Sequence, residues 1–526
     1  MYDAQLGKGC MAGTRVQVIR DIEIWIKDLK GPQIFWLVGM AGTGKSAVAW
    51  TICSRATADA KVILGGSFFC SRSTGLITQR DVRYVVPTLA RILAQQSPKF
   101  SKALAEELAR NPGVLHKQIG AQIEQLLYKP LLALKNSRIP IVFVIDALDE
   151  CGSQSGAGGT DNNAESHRTV SEMLEALASI AKYAVKLPVK FLVTSWPETH
   201  IRDTPVSDTS FSMVMRLHTI NKAQVTADIR LYISTRLSSK PQLRAHFQNE
   251  AVDMLTQLSD GLFIVAATAL QYTLGSSFDA AAVRFETLLN VSRDSLSTQA
   301  SGPLDRMYAL ILDEAAKSNQ SITDELTAMM QMFGALLSTR MALSVADLAS
   351  LLELPTTHLR ARLSRLHAVI HIPEDDDVPG LRILHASFGD YLFSRADSHL
   401  RIPATLGHDI LAYCCLQRLR EMDLCFNVSR SSTSFKANST DAPKWLAPSL
   451  IYACLHWAHH VDSSSNRSAF DTEIGLTFRP KFLFWLEVLS VLGKIGLASG
   501  LLRIANSAVS SFYLRVTCVL AHIAAG

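Results

Sequence analysis

Apolar positions change their spacing twice along the chain. Near the start, Val18, Ile22, Trp25, Ile26 and Leu29 recur at helical intervals, which predicts a helix with one buried face. Thr14-x-x-Gln17 fits a capping box at its beginning, and Gly31-Pro32 stops it. Compact apolar runs then alternate with helical patterns. Runs at 34–38, 62–70, 139–145 and 190–195 predict strands, with a further edge strand at 213–217. Asp81 is placed to cap a helix carrying Val82, Val85, Val86, Leu89, Ile92 and Leu93; more helix is expected to about residue 135 and over 169–182. The run 141–145 is continuously apolar, as expected of a central parallel strand covered on both faces. Together these elements predict an α/β sandwich with a mostly parallel sheet.

From about residue 221 the strand signals largely vanish. Val225, Ile229, Ile233 and Leu237 mark one helix, and further helices are expected at 262–272, 304–316 and 326–337. Ser344-x-x-Asp347 starts a short helix as a capping motif, and 356–366 gives another. Two short apolar runs then flank Pro373-Glu-Asp-Asp-Asp-Val-Pro-Gly380, a hairpin with an acidic, solvated tip. Helix, helix and hairpin outline a winged helix. The next helix begins around His385, and 396–526 reads as all-helical with polar breaks at 430–441 and 463–468. No repeat of fixed period is present. The expected divisions are a lead-in and helix over 1–30, an NTPase domain over 31–220, a helical domain over 221–300, a winged helix over 301–395 and a helical region over 396–526.

Composition narrows this picture. Over 526 residues, 48% hydrophobic and 19% charged content allows large cores, and a net charge of +5 is too mild to argue for a nucleic-acid surface. Nine cysteines, an odd number with no Cys-x-x-Cys pair, read as scattered free thiols in a reducing compartment. The N-terminus lacks a basic-then-apolar leader, and charges interrupt the apolar stretches near the C-terminus. A cytoplasmic protein without a membrane span is therefore expected.

The chemistry concentrates in two stretches. The first apolar run leads straight into Gly39-Met40-Ala41-Gly42-Thr43-Gly44-Lys45-Ser46-Ala47, the phosphate-binding loop pattern between a strand and a helix. Its glycines let successive N–H groups curl toward phosphate oxygens, and the helix that follows adds its positive end. Lys45 is placed to reach the outer phosphates and the Ser46 hydroxyl to ligate Mg²⁺. The second stretch ends a strand in Asp146-Ala147-Leu148-Asp149-Glu150. Ligands bind at the carboxyl ends of strands in such sheets. Asp146 is expected to hold Mg²⁺, directly or through water, and Asp149 or Glu150 to polarise an attacking water. The strand at 190–195 ends in Thr194-Ser195, where a nucleotide would sit.

These stretches, with Phe191-Leu-Val-Thr-Ser-Trp-Pro-Glu-Thr-His-Ile-Arg202, resemble the NACHT branch of the STAND NTPases. The likeness is strongest to fungal proteins tied to vegetative incompatibility and to the N-terminal region of nephrocystin-type proteins. Cys10-Met-Ala-Gly-Thr-Arg15 is similar to the family's lead-in near the nucleotide base, Gly261-Leu-Phe-Ile-Val-Ala266 to its helical-domain glycine motif, and Leu384-His-Ala-Ser-Phe-Gly-Asp-Tyr-Leu392 to its winged-helix motif. The resemblance implies a switch in intracellular recognition or cell-death signalling. It would bind ATP or GTP with Mg²⁺, self-associate in the triphosphate state, act on an unknown effector protein and hydrolyse slowly. Arg15 and Ser195 would lie at the nucleotide, and His385 would touch the diphosphate in the closed state. Three departures accompany the likeness. Trp196 stands where relatives carry a γ-phosphate-sensing arginine, Phe263 where some lay a proline on the purine, and an effector module and C-terminal repeats are expected to be missing.

Weaker signals point to bland roles. His456 and His460 have the i,i+4 spacing of zinc ligands, but the Glu of a zincin is absent, so incidental histidines on an amphipathic helix are expected. Cys414-Cys415 reads as a pair of buried thiols. Two alternatives stay open: a degenerate nucleotide-binding scaffold or decoy without signalling activity, and a conventional P-loop enzyme.

Overall fold

A computed structural model describes residues 9–72, 77–151, 171–178, 187–196, 212–238, 249–274, 278–294, 302–317, 322–397, 399–421, 424–428 and 446–508. The chain divides into two compact units, one ending at Tyr308 and the other beginning at Ala309.

The first unit is built on five strands: β1 (Ile34–Val38), β2 (Ile63–Phe69), β3 (Ile141–Asp146), β4 (Val189–Ser195) and β5 (Ser212–Arg216). Their order is β2-β3-β4-β1-β5, and every pairing is parallel. The strand period of two sorts the side chains of β3 onto opposite faces. Ile141, Phe143 and Ile145 enter one core beside the helix Val85–Gln96, while Val142 and Val144 enter the other beside α1 (Val16–Lys27) and α2 (Lys45–Ala58). This is a three-layer α/β/α sandwich. Every β3 side chain is buried, and an apolar one of that size contributes about 1.5–3 kcal/mol through burial. The only lysine in β4, Lys190, is also buried. Its ammonium lies over the Trp25 ring and donates to Gly31 O at 2.9 Å and Pro32 O at 2.8 Å.

The first helix differs from expectation at both ends. Its N-cap is Arg15 in the left-handed region, not Thr14, whose hydroxyl donates to Met11 O instead; Gln17 donates to Asp21. Tertiary bonds made by Arg15 override the local capping signal. The helix closes at Lys27, so Leu29 lies beyond it and is exposed. Asp81 does cap as expected, accepting from Arg83 N at the turn that leads into Val85–Gln96. After the sheet come the helices Lys222–Ser238, with Val225, Ile229, Ile233 and Leu237 all buried, then Asn249–Ser259, Phe263–Leu274 and Phe278–Asp294. Most of the polar stretch at 151–166 and the break at 430–441 lie outside the described residues.

The second unit is mainly helical. Ser344 and Asp347 form the expected capping box on Val345–Leu351. Thr356–Ser364 follows, and then β6 (Ile370–His371) pairs antiparallel with β7 (Arg382–Ile383). Asp376 at the hairpin tip pairs with Arg360, so that acid is partnered and not merely solvated. Glu325, buried in the helix Ile322–Ser338, accepts from Arg362 Nε at 2.8 Å and ties the two helices together. Cys415 is buried but Cys414 only half so. Among the described residues no helix is long and apolar enough to cross a membrane.

Two helices of this unit, Leu406–Arg420 and Pro448–Asp462, enclose a polar chain. His408 Nδ1 lies 2.9 Å from His460 Nδ1, His460 Nε2 lies 2.8 Å from the Tyr452 hydroxyl, and that oxygen accepts from Arg340 N at 3.2 Å. A nitrogen-to-nitrogen bond needs one protonated and one bare Nδ1, so at least one of the two rings is neutral. Burial pulls the pKa of His460 and of His456 well below the ordinary value, and that of His459 to about 4. The unfolded chain, with ordinary histidines near 6.5, binds protons that the folded unit refuses, so stability falls as pH drops below that value. Each excluded proton costs about 1.4 kcal/mol per pH unit. Urea unfolding followed from pH 7.5 to 5 should show this loss, and a second unit of constant stability across the range would contradict it.

Candidate functional site

The site lies at the carboxyl edge of the sheet, where the loop after β1 meets the ends of β3 and β4. Gly39 N donates to Ser195 O at 3.3 Å, which fastens the loop to β4. Gly42 adopts φ +77°, a conformation that L side chains rarely take. A Cβ there would sit 2.0 Å from Ile264 Cγ2, and its carbonyl accepts from Ile264 N at 3.2 Å. The first turn of Phe263–Leu274 thus presses against the loop. Lys45 opens α2 and is buried, its ammonium donating to Gly39 O at 2.6 Å and Met40 O at 3.1 Å. Burial lowers its pKa, while Asp149, Asp146 and Glu150 act to raise it.

Three acids face that lysine from the end of β3. Asp146 is buried and accepts from the Thr194 hydroxyl at 2.6 Å; the Ser46 side chain also hydrogen-bonds it. Desolvation raises its pKa against these two hydroxyls and the Lys45 charge. Ala147 then takes the left-handed conformation, φ +52°, and donates its N–H to Thr194 Oγ1 at 2.9 Å. A non-glycine residue in this region costs about 1–2 kcal/mol. The reversal folds Leu148–Glu150 into a single turn that returns Asp149 and Glu150 to the sheet edge. Asp149 Oδ1 accepts from Trp196 N, and Glu150 Oε2 from Arg72 N, each at 2.9 Å. Burial pushes Glu150 up to about 7, with Arg72 opposing the rise. A carboxyl group balanced near neutrality is suited to moving a proton.

Arg15 is buried and also left-handed, φ +54°. Its N–H donates to Asp228 Oδ2 at 3.0 Å, Nη2 donates to Thr43 O at 2.9 Å, and the guanidinium lies 5.0 Å from the centre of the Phe263 ring. One residue thus joins the loop, the helix Lys222–Ser238 and the helix Phe263–Leu274. Desolvation lowers its pKa, with Asp228 resisting. Of five non-glycine residues at positive φ among the described residues, Arg15, Ala147 and Asp260 belong to this site or directly precede its glycine turn. Such strain clusters where function over-determines the backbone.

The structure therefore brings together Gly39 to Ala47, Arg15, Asp146, Asp149, Glu150 and Ser195. The Ser195 hydroxyl is occupied by protein groups, accepting from Trp36 Nε1 at 2.8 Å and donating to Trp196 O at 3.0 Å. His385 belongs to the second unit, where its Nδ1 accepts from Ser387 N as the cap of Ala386–Asp390. Three contributors escaped sequence reasoning: Asp228, Ile264 and Arg72. Thr194 was expected near a nucleotide with Ser195, but alternation along β4 sets the two on opposite faces. Residues 197–202, part of the sequence resemblance, lie outside the described residues.

Residues 13–196 match the family described as nephrocystin 3, N-terminal. No curated protein matches the chain significantly. Among solved structures, a Signal Transduction ATPase with Numerous Domains (STAND) protein with a tetratricopeptide repeat sensor from Pyrococcus horikoshii is similar at 9% identity and a TM-score of 0.39, covering 96% of this chain and 59% of that one. This chain therefore spans well under two thirds of that protein's length. Similarity extends to CDC6P from Pyrobaculum aerophilum, at 10% identity and a TM-score of 0.33, covering 78% of this chain and 96% of that one. Drosophila ORC, solved bound to DNA, is similar at 14% identity and a TM-score of 0.28, with 74% and 97% covered. The loop and the acidic strand both lie within the matched stretch, which has the α/β P-loop fold.

The contact between Gly42 and Ile264 gives a direct test. Gly42→Ala should destabilise the first unit by about 2 kcal/mol or more through strain and overlap. Ile264→Ala in the same chain should recover part of that loss in denaturant unfolding. Purely additive losses would show that the two residues do not press on each other.

Proposed function

We propose that the chain is a nucleotide-operated molecular switch of the NACHT branch of STAND NTPases, acting in the cytosol in recognition or cell-death signalling. One observation carries this reading: a buried lysine in a curled glycine loop faces three carboxylates, and the same loop is bonded to a helix of the adjoining helical region. A P-loop that only held nucleotide would have no need of that second attachment. Ser46 and Asp146 supply a hydroxyl and a carboxylate in mutual contact, the hard oxygen donors that Mg²⁺ prefers, so the residues fit the metal. When bound, Mg²⁺ would neutralise phosphate charge. The chain's own part is to cradle the phosphates with loop N–H groups and Lys45, and to hold a water near Asp149 or Glu150. The base is adenine or guanine.

A change at the phosphates reaches the helices through two joints, Gly42 O with Ile264 N and Thr43 O with Arg15. That coupling suits a two-state element whose balance follows the bound nucleotide. Self-association in the triphosphate state and an effector protein belong to the same reading. Hydrolysis should be slow, because Trp196 supplies no cation beside Asp149.

The same tryptophan favours a second reading, a scaffold that binds nucleotide without turning it over. Calorimetry with Mg²⁺ and ATP or GTP should show binding by wild type and at least ~100-fold weaker binding by Lys45→Ala. Equal affinity in both would overturn the nucleotide reading. Phosphate release measured in parallel separates switch from scaffold. Slow wild-type turnover supports the switch, and turnover appearing only in Trp196→Arg supports the scaffold.

A further inference from the structure

Negative charge at the sheet edge exceeds the positive charge supplied by the loop. Asp146, Asp149 and Glu150 converge there, and Lys45 is the loop's single cation. A nucleoside triphosphate brings further negative charge to the same place. Among the described residues the end of β4 contributes Trp196, which carries no charge to balance it. The end of β2 does.

Phe69, the last residue of β2, pairs in register with Asp146, and Cys70 N donates to Asp146 O at 3.0 Å. The chain therefore leaves β2 directly over the end of β3. Arg72 is then fastened through its backbone on both sides. Its N–H donates to Glu150 Oε2 at 2.9 Å, and its carbonyl accepts from Arg80 Nη2 at 2.5 Å. Arg80 closes the short helical turn Ile77–Arg80, so a second arginine holds the first in place. The Arg72 charge acts on Glu150, the acid that Lys45 also feels.

We propose that Arg72 reads the terminal phosphate of a bound nucleoside triphosphate, supplying from the end of β2 the cation that Trp196 does not provide at the end of β4. This rests on the nucleotide-binding reading above. A guanidinium matches two oxygens of a phosphate or of a carboxylate with the same planar fork. With a diphosphate bound, Arg72 stays beside Glu150 and favours its ionised form. With a triphosphate bound, it turns to the γ-phosphate, and the third phosphate is distinguished from its absence by the loss of one partner and the gain of another.

The test compares triphosphate and diphosphate affinity on the full chain, with Mg²⁺ and the purine that wild type prefers. Arg72→Ala keeps the backbone bonds to Glu150 and Arg80 while removing the cation. It should weaken triphosphate binding about tenfold or more and change diphosphate binding less than about twofold. Arg72→Lys should fall between, because an ammonium restores charge without the fork. Trp196→Arg added to Arg72→Ala should recover triphosphate affinity by returning a cation to the opposite side of Asp149. A thermal melt of each variant establishes that it is folded; if Arg72→Ala is not, Arg72→Lys and Arg72→Gln carry the comparison. An equal loss for both nucleotides, or no loss for either, overturns the role of Arg72 while leaving nucleotide binding intact. Wild-type protein that binds neither nucleotide overturns both.

Discussion

The structure of the first unit turns on one electrostatic balance, the buried Lys45 ammonium against buried Asp146 and half-buried Asp149 and Glu150. None of these charges would survive desolvation alone, since burying an unpaired ion costs several kcal/mol. Each is kept by a specific neighbour. Two loop carbonyls hold Lys45, two hydroxyls hold Asp146, and the backbone N–H groups of Trp196 and Arg72 hold the remaining acids. The strand order makes this possible. Because β4 lies between β1 and β3, its last residues touch the loop on one side and the acids on the other. An added strand or a reversed one would separate Lys45 from Asp146, and the two apolar cores would gain nothing that restores them.

That requirement explains which parts of the molecule could be read in the sequence. The strands were legible because runs such as 141–145 must be apolar on both faces to lie inside a sandwich, and the glycine loop because few other residues allow its curl. Helical faces followed from period alone, as at Val225, Ile229, Ile233 and Leu237. Ser344 and Asp347 were legible because a capping box is complete within four residues. Thr14 and Gln17 carried the same signal and did not form one. Arg15 has a stronger commitment to Asp228, over two hundred positions away, than a local cap provides. Sequence period cannot register a partner at that distance. The same limit hid Ile264 and Arg72, whose roles depend on backbone groups brought together only by the fold. Thr194 and Ser195 differ in another way: adjacent on a strand, they face opposite layers, so one meets Asp146 and the other Trp36.

The loop is joined to its helical neighbours by hydrogen bonds rather than by apolar packing alone. The Gly42 carbonyl accepts from the Ile264 main chain, and the Thr43 carbonyl from the Arg15 guanidinium. The Thr43 carbonyl shares its peptide group with the Gly44 N–H, which can face a phosphate, while the Gly42 carbonyl shares its own with the Thr43 N–H, which donates to Met40 O. A peptide plane moves as a rigid piece, so turning the N–H toward a ligand moves the carbonyl with it. Any adjustment of the loop to a phosphate is therefore felt at the Ile264 main chain and at the Arg15 guanidinium.

The size of such an effect can be bounded. Moving a two-state element from one part in a hundred to ninety-nine requires about 5.5 kcal/mol of differential binding. Charge-assisted hydrogen bonds contribute about 1.5–3 kcal/mol each. About two to four bonds made in one state and absent in the other are sufficient, and a single one is not. Lys45 is already committed to two loop carbonyls and Asp146 to two hydroxyls, so neither can supply the whole difference without giving up a bond. The difference must come from groups able to trade one partner for another of equal quality. At this edge of the sheet, a guanidinium beside a carboxylate is such a group, because phosphate and carboxylate present it with the same pair of oxygens.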